Sequence, residues 1–199
     1  MLVAETVTYL EMNSPDQLRP GRGAPAPVGL ERHDVTSLPL ISSAYAHVGK
    51  PYHWTGRLAW SREKWEEWLS RPGLRLWLPR VAGEVAGTIE LEVQPDGDVE
   101  IVVFGLVPEF VGKGFGGHIL TLGARLAWET EQCDGGQTRR VWLHTSSFDN
   151  RHAKQNYLAR GFRVFQVRRK HREIPDDAGL ASDPSGHHLR HGTQPRDGT

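Results

Sequence analysis

The chain has 199 residues and a mass of 22.3 kDa, and its 24 basic and 24 acidic side chains give a formal net charge of zero. This length favours one domain with a sizeable core. A neutral chain has no overall field that draws it onto nucleic acid or an anionic membrane, so neither partner is expected. Cys133 is the only cysteine, which excludes an intramolecular disulfide and a cysteine-based zinc site. No metal is expected, and we expect a soluble, cytoplasmic protein.

The composition changes near both ends of the chain. Residues 13–27 are dense in proline and glycine, which predicts an irregular connection after a short opening strand. Residues 174–199 hold little that could form a core, so we expect a disordered C-terminal tail without a catalytic role. The expected organisation is therefore one domain over residues 1–173, followed by the tail.

Between these ends, hydrophobic periodicity predicts alternating helices and strands. The predicted helices are Leu40 to Val48, Ser61 to Leu69, Phe115 to Glu129 and Arg151 to Arg160. The predicted strands are Leu74 to Val81, Val85 to Val93, Val99 to Val107, Arg140 to Thr145 and Phe162 to Arg168. Short turns join the first three strands into an antiparallel meander, and the following strand, helix, strand passage implies a parallel pair. The fold class is therefore α/β (α+β), with a mixed, mostly antiparallel sheet flanked by helices.

Residues 106–118 read LVPEFVGKGFGGH, so a strand passes through a proline into a glycine-rich turn that opens a helix. Glycines let the backbone approach a pyrophosphate closely, and the free N–H groups of a helix N-terminus point at the anion. The spacing differs from the loop GxxxxGK[ST], and no Rossmann-type βαβ unit surrounds it. Nucleotide hydrolysis and dinucleotide binding are therefore disfavoured.

A second motif lies forty residues further on, where residues 150–162 read NRHAKQNYLARGF. The spacing of Asn150, Ala153 and Tyr157 predicts that they share one helical face, and Gly161 suits the C-terminal cap of that helix. Taken alone, Tyr157 would be interpreted as an amphipathic residue between helix and sheet.

Taken together and in this order, the two motifs resemble those of the GNAT superfamily of N-acetyltransferases, from about residue 85 to residue 167. Residues 111–116 resemble its pyrophosphate motif Q/R-x-x-G-x-G/A, and residues 150–162 resemble its motif N-x-x-A-x-x-x-Y-x-x-x-G-F. Val111 departs from the expected Gln or Arg. We expect weakened rather than lost cofactor affinity, because backbone N–H groups supply most of the grip.

The resemblance implies a sheet with a splayed parallel pair, and acetyl-CoA as co-substrate. In the family, the second-motif helix flanks the pantetheine and the thioester, with Tyr157 near the sulfur. The cofactor-binding residues implied are Leu106, Val107, Val111, Gly112, Lys113, Gly114, Phe115, Gly116, Gly117, Asn150, Ala153 and Tyr157.

Transfer to an amine needs a base, because an alkylammonium has a reference pKa of about 10.4. Glu100 lies at the same distance from the glycine-rich turn as the general base of the family's histone-acetyltransferase branch. Glu92 is the second candidate, and with Glu90 it faces the same side of the neighbouring strand. Each of these carboxylates taken alone is typical of a solvent-exposed sheet face.

The departing thiolate needs a proton, and a tyrosine with a pKa near about 10 can supply it, which makes Tyr157 the general acid. The acetyl oxygen needs a donor, for which we expect the backbone N–H of Leu106, beside a bulge suggested by Gly105. Cys133 has no neighbouring His or Lys to activate it as an acyl carrier, so direct transfer in a ternary complex is expected.

The segment before the meander is rich in aromatic residues and commonly covers the acceptor in this fold. We expect His53, Trp54 and Trp60 to bind the substrate, whereas Trp65 and Trp68 at helical spacing favour the core. The predicted acceptor is the primary amine of a small molecule, namely an amino acid, an amine or a natural product. Acetylation of a protein lysine or N-terminus stays open, as does a non-catalytic acetyl-CoA sensor, which Val111 favours. The resemblance also allows a homodimer.

Overall fold

The computed structural model of the protein describes residues 2–52 and 54–173. The strands are β1 (Leu2–Met12), β2 (Val28–His33), β3 (Leu74–Val81), β4 (Glu84–Val85), β5 (Gly87–Val93), β6 (Asp98–Leu106), β7 (Arg140–Ser146) and β8 (Arg163–Glu173). The helices are α1 (Leu38–Gly49), α2 (Arg62–Leu69), α3 (Gly116–Glu129) and α4 (Ala153–Ala159). The tail predicted for residues 174–199 lies outside the described residues, as does His53.

The described strands form one 8-stranded sheet in the order β2-β3-β5-β6-β7-β1-β8, with β4 paired to β3. The predicted meander is confirmed, because β3, β5 and β6 pair in antiparallel order. The parallel pair is confirmed as well, between β6 and β7 across α3. The predicted mixed α/β fold class is therefore correct. One predicted strand is divided, since Glu84–Val85 pairs with β3 before β5 begins at Gly87.

Both strands that precede α1 differ from the sequence prediction. The opening strand is long rather than short, and it lies in the sheet between β7 and β8, antiparallel to both. The strand β2 was missed, and it pairs with β3 at the far edge. Residues 13–27 connect β1 to β2 at the far edge of the sheet. They pass α3 on the way, where Gly21 N donates to Thr121 Oγ1 at 2.9 Å. Strand partners this distant in sequence leave no local signal.

Helices cover both faces of the sheet and create two apolar cores. On one face, α3 and α4 contribute Ile119, Leu120 and Tyr157 to a core that includes Leu10 of β1. On the other face, α1 and α2 contribute a second core, whose buried members include Tyr45, Val48, Trp65, Trp68 and Val103. The sheet therefore separates a face with α3 and the glycine-rich turn from a face with α1 and α2, here called the acceptor face.

The parallel pairing of β6 and β7 is short. It joins Asp98–Glu100 to Arg140–Trp142 and extends no further between the described strands. The β5–β6 register shifts opposite Glu90 and Leu91, which leaves Val102 as an extra residue in β6. The bulge expected at Gly105 therefore lies at Val102 instead. Gly105 has a different role, because a Cβ there would collide with Val48 of α1 and lie 3.3 Å from the Trp54 ring.

A buried ion pair anchors the loop between α1 and α2 to β5. Arg57 Nη1 and Nη2 donate to the two carboxylate oxygens of Glu90 at 2.8 and 2.9 Å. Trp68 Nε1 also donates to Glu90, at 2.9 Å, and the Arg57 guanidinium lies 4.4 Å from the Trp68 ring centre. Both partners of the ion pair are almost fully buried, with 3% and 2% of their side-chain surfaces exposed. The loop is thus fixed over the acceptor face.

The ion pair gives a stability prediction. Glu90→Gln leaves the Arg57 charge buried without its counter-ion and should lower the free energy of unfolding by about 3–5 kcal/mol. The matched control is Glu66→Gln, because Arg62 and Glu66 form an exposed pair at 2.7 Å on α2. That change should cost less than about 1 kcal/mol. Urea unfolding followed by circular dichroism measures both, and equal losses would contradict the anchoring role of the buried pair.

Candidate active site

A cavity of about 530 Å³ lies between β6, the glycine-rich turn and α4. Its walls include the end of β6, the glycines of the turn and the residues of the second motif. The predicted cofactor residues that line it are Leu106, Val111, Gly112, Gly114, Gly116, Gly117, Asn150, Ala153 and Tyr157. The two sequence motifs therefore meet at one cavity.

Three of the predicted cofactor residues lie outside this lining. Val107 is buried on the acceptor side, and its N–H donates to Ala86 O at 3.0 Å. The buried ring of Phe115 packs edge-on against Phe110, with ring centres 5.4 Å apart. Lys113 is exposed on the turn but does not contribute to the cavity wall. These positions hold the turn in shape or face solvent.

The glycine-rich turn needs glycine at two positions for conformational reasons. Gly112 and Gly114 have φ values of 76° and 86°, in the left-handed region that strains other residues. Val111 immediately before them has an extended backbone, and 37% of its surface is exposed. The turn could therefore hold a longer polar side chain at position 111. The valine removes the side-chain contact to the cofactor that the family motif would supply, but it does not change the backbone of the turn.

The second motif differs locally from the prediction. The helix α4 begins at Ala153, so Asn150 lies in the turn before it rather than on its face. Asn150 Oδ1 accepts from His152 N at 2.9 Å, and Asn150 Nδ2 donates to Tyr52 Oη at 3.1 Å. The predicted cap is confirmed, because Gly161 follows α4 with a φ of 99°. Asn150 therefore orders the turn that leads into α4, and its backbone carbonyl accepts from Ala153 N at 2.7 Å.

Tyr157 is buried at the inner end of the cavity. Its ring packs against Phe104 and Phe162, with ring centres 6.2 and 6.3 Å away. Burial raises the pKa of Tyr157 far above its ordinary value, and the charges of Asp149 and Tyr52 add to the rise. The hydroxyl therefore remains protonated at neutral pH and acts as a donor.

A second, narrow cavity of about 20 Å³ lies in the gap between β6 and β7. This is room for about one water molecule. Trp54, Phe104 and Tyr157 line both cavities, so the narrow one adjoins the inner end of the larger one. Trp54 thus lies at their junction. Trp60 lies apart from both linings and packs on Trp65, with ring centres 5.2 Å apart.

The three candidate carboxylates lie on the acceptor face, and none lines either cavity. Glu90 is held by Arg57, as described above. Glu92 lies opposite Glu100 across the strands and forms an ion pair with Arg71. Burial raises the pKa of Glu92, and the Arg71 charge opposes that rise. Among the described residues, Glu90 and Glu92 each form an ion pair with an arginine, and Glu100 does not.

The sequence interpretation missed His144. Its Nδ1 lies 3.3 Å from Glu100 Oε1, and its side chain lines the narrow cavity together with Tyr45 and Tyr157. His144 alternates with Trp142 on β7, which places both on the acceptor face, and this alternation is visible in the sequence. Its approach to Glu100 depends on the β6–β7 register and could not be read locally.

Arg160 was missed as well. Its Nη1 occupies the space that a Cβ at Gly117 would need and would lie 2.7 Å from a Cβ at Gly21. The guanidinium therefore rests against the first turn of α3, where the helix dipole is positive. Among residues 2–52 and 54–173, no carboxylate lies within 4.0 Å of it. An anion bound at the turn would relieve this accumulation of positive charge.

The comparisons with known proteins agree with this site. The model of the acetyltransferase (GNAT) family matches residues 41–162, which is more than half of the chain. The protein therefore belongs to the GNAT acetyltransferase family, whose members generally take the acetyl group from acetyl-CoA. No curated protein matches the sequence.

Solved structures share the fold at low sequence identity. A functionally unknown conserved protein from Staphylococcus epidermidis ATCC 12228 superposes with a TM-score of 0.63 at 16% identity, covering 85% of this chain and 61% of its own. A GCN5-related N-acetyltransferase from Kribbella flavida gives 0.58 at 19% identity, with 85% and 58% covered. One from Sphaerobacter thermophilus gives 0.58 at 14% identity, with 84% and 52% covered. The chain thus spans between half and two thirds of the length of these structures.

The described part of the chain has neither a membrane-spanning helix nor a cluster of metal ligands. No helix among these residues is long and apolar enough to cross a membrane. No group of three or more His, Cys, Asp or Glu side chains there is placed to hold a metal ion. Cys133 is exposed, as a free thiol in the loop after α3.

The packing at the junction of the cavities gives a second stability prediction. Gly105→Ala forces Val48 and the Trp54 ring to move and should lower the free energy of unfolding by about 1–3 kcal/mol. Gly23→Ala is the control, because nothing lies within 4 Å of a Cβ there. It should be close to neutral. Thermal and urea unfolding measure both variants, and an unchanged Gly105→Ala protein would show that the junction is loosely packed.

Proposed function

We propose that the protein is an acetyl-CoA-dependent N-acetyltransferase that transfers acetyl directly to the primary amine of a small molecule. The observation that carries this proposal is the pair of adjoining cavities. The larger one has the glycine-rich turn in its wall and Tyr157 at its inner end, and the narrow one continues through the sheet to the acceptor face. Such a passage lets donor and acceptor approach one point from opposite faces.

The residues of the larger cavity fit acetyl-CoA. The turn from Gly112 to Gly117 offers backbone N–H groups and the α3 N-terminus to a pyrophosphate. Phe104, Leu106 and Ala153 give an apolar wall for the pantetheine, and Asn150 is the polar group beside it. Bound acetyl-CoA supplies the acetyl group as an activated thioester. Tyr157 would lie next to the sulfur, as the family resemblance implies.

Arg160 compensates for Val111. The family motif has a polar or cationic side chain at position 111, and here the guanidinium of Arg160 reaches the same turn from the end of α4. Its position against the first turn of α3 brings two positive charges together, and an anion bound at the turn would balance them. This compensation supports cofactor binding despite the valine, and it argues against a weakened, non-catalytic sensor.

The role of Arg160 can be tested by calorimetry. Arg160→Gln should weaken CoA binding about tenfold or more, while binding of acetyl-pantetheine, which lacks the phosphates, should be unchanged. Arg160→Lys should weaken CoA binding less than Arg160→Gln does, because lysine retains the positive charge. Arg125→Gln, an exposed arginine elsewhere on α3, serves as control. Equal effects on CoA and acetyl-pantetheine would assign Arg160 a structural role.

The chain's own residues provide the proton transfers that the reaction requires. Tyr157 is protonated at neutral pH and donates to the departing thiolate. Glu100 lies on the acceptor face, where the amine must lose its proton, and Glu92 is less suited because Arg71 already neutralises it. The backbone edge of β6 beyond Glu100 is unpaired toward β7, which supports the N–H of Leu106 as the donor to the acetyl oxygen.

The acceptor end is narrow and aromatic. Tyr45 and Trp54 line it, and the loop that carries Trp54 is fixed by the Arg57–Glu90 pair. A rigid, ring-lined wall suits a slender primary amine and allows cation–π contact with its ammonium form. A lysine side chain of a protein has the same terminal group, so protein acetylation is the second candidate.

The proposed function and the role of Tyr157 as general acid can both be tested by incubating the protein with acetyl-CoA and a panel of amines. The release of free CoA thiol measures turnover. The panel contains amino acids, alkyl and aromatic amines, and lysine and N-terminal peptides. Tyr157→Phe keeps the ring and should slow turnover of any accepted amine about 10²-fold or more, with little change in CoA affinity. Absence of a shift in melting temperature with millimolar acetyl-CoA would contradict the proposed function. If Tyr157→Phe turns over at the rate of the parent protein, only the assignment of Tyr157 as general acid is contradicted.

A further inference from the structure

We infer that His144, held by Glu100, is the group that takes the proton from the acceptor amine. The inference rests on the proposed acetyl transfer and identifies a catalytic residue that the sequence motifs do not mark. It assigns Glu100 a positioning role instead of direct contact with the amine.

His144 is placed where donor and acceptor meet. The last β7 residue paired with β6 is Trp142, so His144 lies in the gap where the two strands have separated. Its ring lines the narrow cavity, which Tyr157 lines from α4 on the opposite face of the sheet. Within the described residues, it is the one imidazole in that wall. A candidate base must come within reach of the proton it removes, and His144 meets this condition better than Glu100.

Glu100 is fixed behind the imidazole by a chain of contacts. Gln94 Nε2 donates to Glu100 Oε2 at 2.8 Å, and Trp142 Nε1 donates to Gln94 Oε1 at 3.0 Å. These two bonds leave Oε1 directed at His144 Nδ1, 3.3 Å away. The charge of this carboxylate favours an N–H at Nδ1, and we therefore assign Nε2 as the atom that accepts a proton.

Besides Glu100, aromatic rings lie around His144. Tyr9 of β1 lies 5.6 Å from its ring centre, and Tyr45 and Tyr157 share its cavity. Burial raises the pKa of Tyr45 to about 12 and that of Tyr157 further, so both are neutral near pH 7. The nearby cations on this face lie one layer beyond, with Arg140 over Trp142 and Arg168 over Tyr9.

The proton balance of the step is complete. The acceptor ammonium first gives one proton to the imidazole of His144, which passes it to solvent. The neutral amine nitrogen then bonds to the acetyl carbon and gives its second proton to the same imidazole. The carbon–sulfur bond breaks, and Tyr157 gives its proton to the thiolate. His144 then returns its proton to solvent and Tyr157 regains one, so the products are the amide and the free thiol. Glu100 retains its charge throughout.

The pH profile of kcat/KM for an accepted amine tests the inference. His144→Gln should lower kcat/KM about 10²-fold or more at neutral pH, with partial recovery as rising pH deprotonates the amine without help. Glu100→Gln should lower kcat/KM by a smaller factor than His144→Gln does. The double variant should resemble His144→Gln alone, because Glu100 acts through His144. His47→Gln, an exposed histidine on α1, is the matched control and should keep the parent profile.

The outcomes separate this inference from the proposed function. Each variant should keep the parent shift of melting temperature with acetyl-CoA, which shows that the cofactor cavity is intact. A parent pH profile in His144→Gln would overturn the inference, and so would losses that multiply in the double variant. Neither of these two results would contradict the proposed acetyl transfer. A parent protein that acetylates no amine would overturn both proposals together.

Discussion

The pairing between β6 and β7 ends early, and the two cavities and the packing around them follow from this. Two parallel strands that stay paired would close the sheet and leave no passage between its faces. Here the ladder stops at Glu100 and Trp142, and the extra residue Val102 shifts the register of β6 as it leaves. The unpaired edges must then be satisfied by other groups. Water or a bound ligand can satisfy them, and the gap is therefore the place where we locate the candidate site.

The packing on both sides keeps the gap open at a fixed width. On the acceptor face, Gly105 lets Val48 and Trp54 approach the backbone of β6. On the other face, Phe104 and Tyr157 meet edge to face. The loop that carries Trp54 is in turn anchored by the buried Arg57–Glu90 pair. A buried charge pair contributes little net stability but specifies one arrangement, and here that arrangement is the wall of the cavity.

The sequence was informative where the signal was local. The meander, the glycine-rich turn, the cap at Gly161 and the face shared by Glu90 and Glu92 follow from periodicity and turn chemistry within a few residues. Strand partners could not be predicted in the same way, so β2 was missed and β1 was expected to be short. The neighbours of Glu100 and of the glycine-rich turn depend on such distant pairings. His144 and Arg160 therefore emerged only from the structure, whereas the departure at Val111 was visible in the motif.

In the proposed reaction, the thioester of acetyl-CoA lies in the gap, between Tyr157 on one face and His144 on the other. A crystal structure of the protein grown with a non-hydrolysable acetyl-CoA analogue measures this directly. We expect the pyrophosphate at the turn from Gly112 to Gly117, and the acetyl group at the junction lined by Trp54, Phe104 and Tyr157. An analogue whose acyl group points away from the gap, or one bound outside the cavity between β6 and α4, would contradict it.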